Sequence, residues 1–258
     1  MSGAFGSVRL QDDGVLARVV LSNPAKFNAM SRKMWWELRQ IFVDLHGRGG
    51  LRCVVLVGAG GHFCSGGDIA EYPGFRFVES SLRDFHEEDV WGALQSVQDC
   101  PVPVIAEIQG NCMGAGVELA CCCDIRVAGG GARFGAPIAR LGFPMAPREA
   151  QLVSRELGLQ MARSMLLEAA VFEADQMLMH GFLNSVVSES ELAGHVLKRA
   201  ADVCRLAPQA ARLNKLTLRV LTGSGEKDAL FKQAYAYANT AEHREGIAAF
   251  LAKRPPAF

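Results

Sequence analysis

The sequence has no excess of charge of either sign: 27 Lys and Arg balance 27 Asp and Glu. The balance removes the general electrostatic footprint of a nucleic-acid or anionic-membrane binder, while leaving room for a local basic cluster to hold a phosphorylated ligand. No window approaches the roughly 20 uninterrupted apolar residues of a membrane span. Met1 to Leu10 carries neither a basic start followed by an apolar run nor a small-residue cleavage site. Cysteine occurs eight times but never as CxxC, and Cys121, Cys122 and Cys123 are adjacent within an apolar string. That pattern is neither a secreted disulfide framework nor a zinc pair, so buried reduced thiols in a cytoplasmic protein are expected. The six histidines form no HxxxH or similar grouping, so no metal site is expected. The phosphate loop GxxxxGK[ST] and the dinucleotide fingerprint GxGxxG are both missing. GNCMG is not GxSxG, and no histidine stands out as the base of a Ser-His-Asp triad. No internal repeat and no low-complexity linker occur.

What is present is an ordinary globular composition, half apolar and about a fifth charged, over 258 residues. That length suits one large α/β domain, or a domain with an appendage. Val15 to Leu21 is β-branched and apolar and is stopped by Ser22-Asn23-Pro24: a strand and a turn. From Ser31, a candidate N-cap, Met34, Trp35, Leu38, Ile41, Phe42 and Leu45 recur at helical spacing. Trp35 and Trp36 read as packing residues of that helix. Arg52 to Val57 suits a strand buried on both faces. Tyr72 to Glu88 is charged and weakly periodic, and reads as a mobile loop with some helix. A helix over Val90 to Asp99, a strand over Val102 to Ile108, a helix over Val117 to Cys123 and strands at Ile125 to Ala128 and Ala132 to Gly135 follow. This alternation predicts right-handed β/α crossovers in one α/β core. From Arg148 onward the pattern is helical: Glu149 to Leu157, Leu159 to Glu168, Ala174 to His180, Glu189 to Leu206, Ala210 to Leu221, Asp228 to Tyr237 and Glu242 to Leu251. The division expected is a core over 1–200 and a helical segment over 201–258 that packs on the core or on a neighbouring subunit.

Two glycine-rich turns carry the candidate chemistry. His62-Phe63-Cys64-Ser65-Gly66-Gly67-Asp68-Ile69 follows a strand, and Gly110-Asn111-Cys112-Met113-Gly114-Ala115-Gly116-Val117-Glu118 joins a strand to a helix. Glycine lets a ligand approach backbone N–H groups closely. At a helix start those groups are unpaired and favour negative charge. If the turns converge, they make a two-donor site for a developing oxyanion. Either turn alone is also a plain α/β connection.

Taken together, NPAKFNAM (Asn23 to Met30), HFCSGGDI, IQGNCMGAGVELACCCDIRVA (Ile108 to Ala128), FGAP (Phe134 to Pro137) and the C-terminal EHREGIAAFLAKRPPAF (Glu242 to Phe258) resemble the crotonase, or enoyl-CoA hydratase/isomerase, superfamily in order and spacing. The resemblance spans essentially the whole chain. It is specific for the family and poorly specific for the reaction. It implies an α/β spiral of ββα units, a helical C-terminal trimerisation region, and homotrimers or homohexamers. It implies an acyl-CoA thioester substrate, with coenzyme A part of the substrate and no separate cofactor. The oxyanion hole would be the N–H groups of Gly67 and Ala115, the latter standing where many relatives have glycine. Lys26, Phe27, Ala29, Ser65, Asp68 and Ile69 would line the CoA groove. Phe250 and Lys253 would complete it, across a subunit boundary.

Glu118, three residues past Ala115, matches the first of the two glutamates that share a water in the hydratases. The second would follow the proline of FGAP, and that position is Ile138. Three repairs present themselves. Glu118 works alone, as in an isomerase or a slow hydratase; Glu149 of the PREA segment swings in, although its helix-start position more simply makes it a dipole-stabilising or capping-region residue; or the reaction needs no second carboxylate, as in decarboxylation of a malonyl-type thioester. Without the resemblance, Glu118 is a helix-side carboxylate paired with Arg126 or Arg140. Arg140 is either structural or the holder of a substrate carboxylate, and His62 reads as turn-structural. The expected activity is enoyl-CoA hydration or isomerisation through a bound enolate. The alternatives are an acyl-CoA decarboxylase, a thioester hydrolase, or a catalytically impaired acyl-CoA-binding protein.

Overall fold

The computed structural model describes residues 6–223 and 227–258. The first five positions of Met1 to Leu10, and positions 224–226 of the expected C-terminal segment, lie outside the described residues. The chain opens with β1 (Ser7–Asp12) and β2 (Leu16–Ser22), then α1 (Arg32–His46), β3 (Cys53–Gly58), α2 (Glu79–Asp84), α3 (Trp91–Asp99) and β4 (Val104–Ile108). It continues through β5 (Asn111–Met113), α4 (Ala115–Cys122), β6 (Ile125–Gly129), β7 (Arg133–Gly135), α5 (Pro147–Leu157) and α6 (Leu159–Leu167). Then come β8 (Val171–Glu173), α7 (Ala174–Met179), β9 (Ser185–Val187), α8 (Leu192–Cys204), α9 (Pro208–Leu221), α10 (Lys227–Gln233) and α11 (Ala241–Leu251).

The large sheet runs β1-β2-β3-β4-β6-β9, with only the β1–β2 pair antiparallel, and a small sheet runs β5-β7-β8. After β4 the chain needs only Gln109-Gly110 to enter β5, and after β6 only Gly130 to Ala132 to enter β7. Each turn of the spiral thus feeds one strand to each sheet. Where β3 leaves the large sheet, Cys64 makes the equivalent bridge to Cys112.

The apolar run of β3 is buried on both faces because the sheet is covered twice. Side chains alternate along a strand, so Val54 and Leu56 join the main core with α1 and α3 while Cys53 and Val55 join Ile105 and Val127 beneath Leu192, Val196 and Ala200 of α8. Each such aliphatic side chain contributes roughly 1.5–3 kcal/mol by leaving water. Ser31 caps α1 by accepting from the Met34 N–H, and Met34, Trp35, Leu38, Phe42 and Leu45 form its buried stripe. All eight cysteines are unpaired, and only Cys204 is not buried. No described helix is long and apolar enough to cross a membrane.

Two expectations need correction. Tyr72 to Glu88 is not a loop with some helix: a 3-10 helix over Ile69–Gly74 leads to α2, then to a widened helical turn over Phe85–Val90 that runs into α3. Its weak periodicity hides an aromatic knot. Phe75 and Phe85 are buried with ring centroids 4.5 Å apart, and Tyr72 packs on both. The helix expected over Asp228 to Tyr237 stops at Gln233, followed by a 3-10 turn over Ala236–Asn239. β1, β5, β8 and β9 carry no apolar run and become strands by completing the hydrogen bonding of neighbours. In the C-terminal segment, α9 is pinned to the core by Lys215, whose Nζ donates to Asp124 Oδ2 at 2.7 Å and the Val102 carbonyl at 2.9 Å.

Candidate active site

The two glycine turns converge. The Cys64 N–H donates to the Asn111 carbonyl at 2.9 Å, and the Met113 N–H donates back to the Cys64 carbonyl at 2.8 Å. His62 ties the same two segments, its Nδ1 accepting from the Asn111 N–H at 3.1 Å, and its carbonyl and that of Ala59 accept from the fully buried Asn28 amide at 2.7 Å. Met30 fastens the far side, donating to the Gly66 carbonyl and accepting from the Asp68 N–H, both at 2.8 Å. Gly114 turns the chain into α4 at φ 49°, ψ −110°, where a side chain would be strained. A β-carbon on Gly67 would collide with the Tyr72 hydroxyl, which lies directly against the turn. The N–H groups of Gly67 and Ala115 have no acceptor among the described residues.

Both residues open on a cleft of about 270 Å³. Its walls are mainly apolar, including Trp35, Ile69, Phe85, Val90, Ile138, Leu141, Phe143 and Met145, with Glu118, Glu149, His86, Tyr72 and Arg76 as its ionisable groups. A few polar groups set in apolar walls are the usual make-up of a small-molecule site.

Glu118 enters from α4 and Glu149 from the first turn of α5, and both carboxyls are nearly out of water, at 7% and 3% exposure. Burial pushes the Glu118 carboxyl well above the ordinary carboxylate range, and the Glu149 charge pushes it further. Glu118 pairs with neither expected arginine. Arg126 donates to the Phe182, Ala120 and Cys123 carbonyls and pairs with Glu156, while Arg140 donates to the Ala169 carbonyl at 3.4 Å. Glu149 has one firm partner, His86, with Nδ1 and Oε1 2.7 Å apart. That contact needs one proton between the two atoms, on Nδ1 or on the carboxyl. Desolvation raises the Tyr72 phenol to about 12, with Arg76 opposing and Glu118 adding to the shift, so Tyr72 stays a neutral hydroxyl.

Of the residues singled out in the sequence, Gly67, Ala115, Glu118, Ser65, Ile69 and Ile138 line the cleft, and Glu149 joins them. Asp68 is buried and pairs with Lys26 (Nζ to Oδ2 2.6 Å), so the two neutralise each other beside the turn. Ser65 Oγ donates to the Lys26 carbonyl at 2.7 Å, and the exposed Phe27 sets its ring edge-on to His62 at 4.6 Å. Ala29 is buried beside them. Arg140 lies outside the cleft, and Phe250 and Lys253, exposed at the end of α11, do not reach it within the chain. Tyr72, Arg76, Phe85, His86, Phe143 and Met145 were not legible as site residues. The one available signal was the density of aromatics inside the charged 72–88 stretch.

A spiral of this topology around such a cleft is the fold of the crotonase superfamily of acyl-CoA-processing enzymes. The chain belongs to the enoyl-CoA hydratase/isomerase family, whose sequence model matches residues 11–258. It is 31% identical to enoyl-CoA hydratase domain-containing protein 3, mitochondrial, of Danio rerio over 100% of this chain and 90% of that one. It is 29% identical to the short-chain-enoyl-CoA hydratase of Clostridium acetobutylicum, over 97% and 96% respectively. Among solved structures, an enoyl-CoA hydratase/carnithine racemase from Magnetospirillum magneticum superimposes with TM-score 0.93 at 33% identity, covering 99% of this chain and 96% of that one.

The raised Glu118 carboxyl has a consequence for stability. Above the usual value of 4.5 the unfolded chain releases this proton while the folded chain still holds it, so stability falls as pH rises through the window up to the raised value. Glu118→Gln keeps the shape and removes the ionisable group. It should melt at a higher temperature than the parent at neutral pH and lose that advantage as the pH falls toward 4.5. Thermal unfolding of both proteins across this range reads the effect directly, and a gap that stays constant on acidification contradicts it.

Proposed function

We propose that the chain is an enoyl-CoA hydratase in which Glu118 and Glu149 form the catalytic pair. The observation that carries this reading is the meeting of two buried carboxyl groups in one cleft beside two backbone N–H groups without acceptors. Ile138 removes the carboxylate from the position the family resemblance expects, and α5 supplies one to the same cleft. The thioester oxygen accepts from the Gly67 and Ala115 N–H groups, each worth about 3–4 kcal/mol as negative charge develops. Glu149, held by His86, takes a proton from water as the water oxygen bonds to Cβ. The π electrons move through Cα onto the thioester oxygen as an enolate. Glu118, kept protonated by burial, delivers its proton to Cα as the enolate collapses. Proton exchange within the pair then restores the starting state. A carboxyl raised by burial and by the charge of a second carboxyl beside it suits the acid of an acid and base pair.

Coenzyme A enters as part of the substrate, and the steps above require no other cofactor. Ser65 and Ile69 lie in the cleft wall, and with Lys26, Phe27, Ala29 and Asp68 they would line the path of the CoA handle. Phe250 and Lys253 would reach a groove only on a neighbouring copy. That is consistent with a homotrimer or a hexamer built from two. Leu218, Phe231, Tyr235, Ile247, Phe250 and Leu251 of the C-terminal segment are all more than half exposed, and α10 buries none of its residues. Light scattering should report a trimer or hexamer at micromolar concentration, and a monomer alone would contradict the assembly.

Hydration consumes the conjugated enoyl absorbance, which gives the assay. Glu149→Gln and Glu118→Gln should each lower kcat for hydration by about 10²–10⁴ while leaving thioester affinity nearly unchanged, because the oxygen contacts are backbone groups. An isomerase that moves one proton through Glu118 alone would lose activity in Glu118→Gln and keep it in Glu149→Gln. That pattern would replace the hydratase reading.

A further inference from the structure

We propose that Arg76 makes this cleft selective for acyl-CoA thioesters whose acyl chain carries a carboxylate at its far end, an inference that rests on the acyl-CoA reading of the cleft. Arg76 lines the cleft and is half-buried there. Its guanidinium carbon stands 3.8 Å from the Phe143 ring centroid and 4.5 Å from that of Tyr72. Those contacts use the π faces of the aromatic rings and give the guanidinium N–H groups no oxygen to bond. Among the described residues the side chain has neither an ion pair nor a hydrogen-bond acceptor. Nearby arginines are neutralised, Arg32 by Asp89 and Arg148 by Glu87. An arginine held between aromatic rings in a mainly apolar cleft, with its donors unused, lacks the planar oxyanion that a guanidinium fork matches.

Its position fixes which part of a substrate it would meet. The Tyr72 hydroxyl lies against Gly67, where the thioester oxygen is placed, and Arg76 sits over the ring of the same tyrosine. Tyr72 therefore stands between the Gly67 turn and the guanidinium, so a group held by Arg76 would lie at the depth of the acyl tail rather than at the reacting carbonyl. A purely aliphatic tail would leave the guanidinium desolvated with no partner. A carboxylate tail would be repelled by Glu149 unless a cation stood at that depth. The sequence suggested Arg140 for such a contact, and the cleft contains Arg76 instead.

Calorimetry with two saturated CoA thioesters of equal chain length, one ending in a carboxylate and one in a methyl group, separates binding from chemistry. The parent should bind the carboxylate-terminated thioester about 10–100-fold more tightly, the range for charge-assisted hydrogen bonds. Arg76→Met should erase that preference, with the methyl-terminated thioester bound no more weakly than by the parent. Arg76→Lys should retain part of it, since the charge stays and the fork is lost. Equal affinities in the parent, or a preference that survives Arg76→Met, would overturn the inference and leave the acyl-CoA reading standing. Binding of neither thioester would overturn both together. The same pair made as 2-enoyl thioesters should show the preference in kcat/KM, with Arg76→Met lowering it for the carboxylate-terminated substrate alone.

Discussion

The site depends on the mutual repulsion of two carboxyl groups in a place that water barely reaches. Glu118 and Glu149 arrive from different helices and share one cleft at 7% and 3% exposure. In such surroundings two negative charges cannot coexist cheaply, so one carboxyl keeps its proton. Burial, with the Glu149 charge adding to it, raises the Glu118 carboxyl, and His86 Nδ1 lies 2.7 Å from Glu149 Oε1. The arrangement destabilises the fold at neutral pH, and the buried strands β3 and β4, with α1, α3 and α8 on either side, offset that cost.

The rest of the molecule positions backbone around that pair. The Cys64–Asn111 and Cys64–Met113 hydrogen bonds lock the two glycine turns into one rigid unit, and Asn28 and Met30 brace it from outside. The Gly67 and Ala115 N–H groups are therefore fixed before any ligand arrives. Donors that need no reorganisation are worth most in a dry site. The helical passage from Ile69 to Asp99 closes the opposite wall with Tyr72, Arg76, Phe85 and His86.

Much of this was legible in the sequence, for definite reasons. The run at Arg52 to Val57 is apolar without alternation because both faces of β3 are covered. Ser31 precedes a 3.6-residue stripe and caps it. The glycine turns with Glu118 point to one site because a helix start after glycine exposes N–H groups next to a carboxylate one turn on. Other features were hidden. The 72–88 wall is charged outside and aromatic inside, and its helices change pitch, so no single period marks them. Glu149 looked like a residue placed for the helix dipole, since nothing in PREA reveals that α5 begins at the cleft. Arg76 and His86 gain their meaning only from rings and carboxyls distant in sequence, and local pattern does not encode such contacts.

Glu118 and Glu149, on the proposed mechanism, act on the same acyl group. A crystal structure with a 3-hydroxyacyl-CoA product bound tests it most directly. The Glu118 carboxyl should lie within about 3–4 Å of Cα and the Glu149 carboxyl within hydrogen-bond reach of the 3-hydroxyl oxygen. The thioester oxygen should lie between the Gly67 and Ala115 N–H groups. A product contacted by Glu118 alone, with Glu149 facing His86 and no water between it and the hydroxyl, would contradict it.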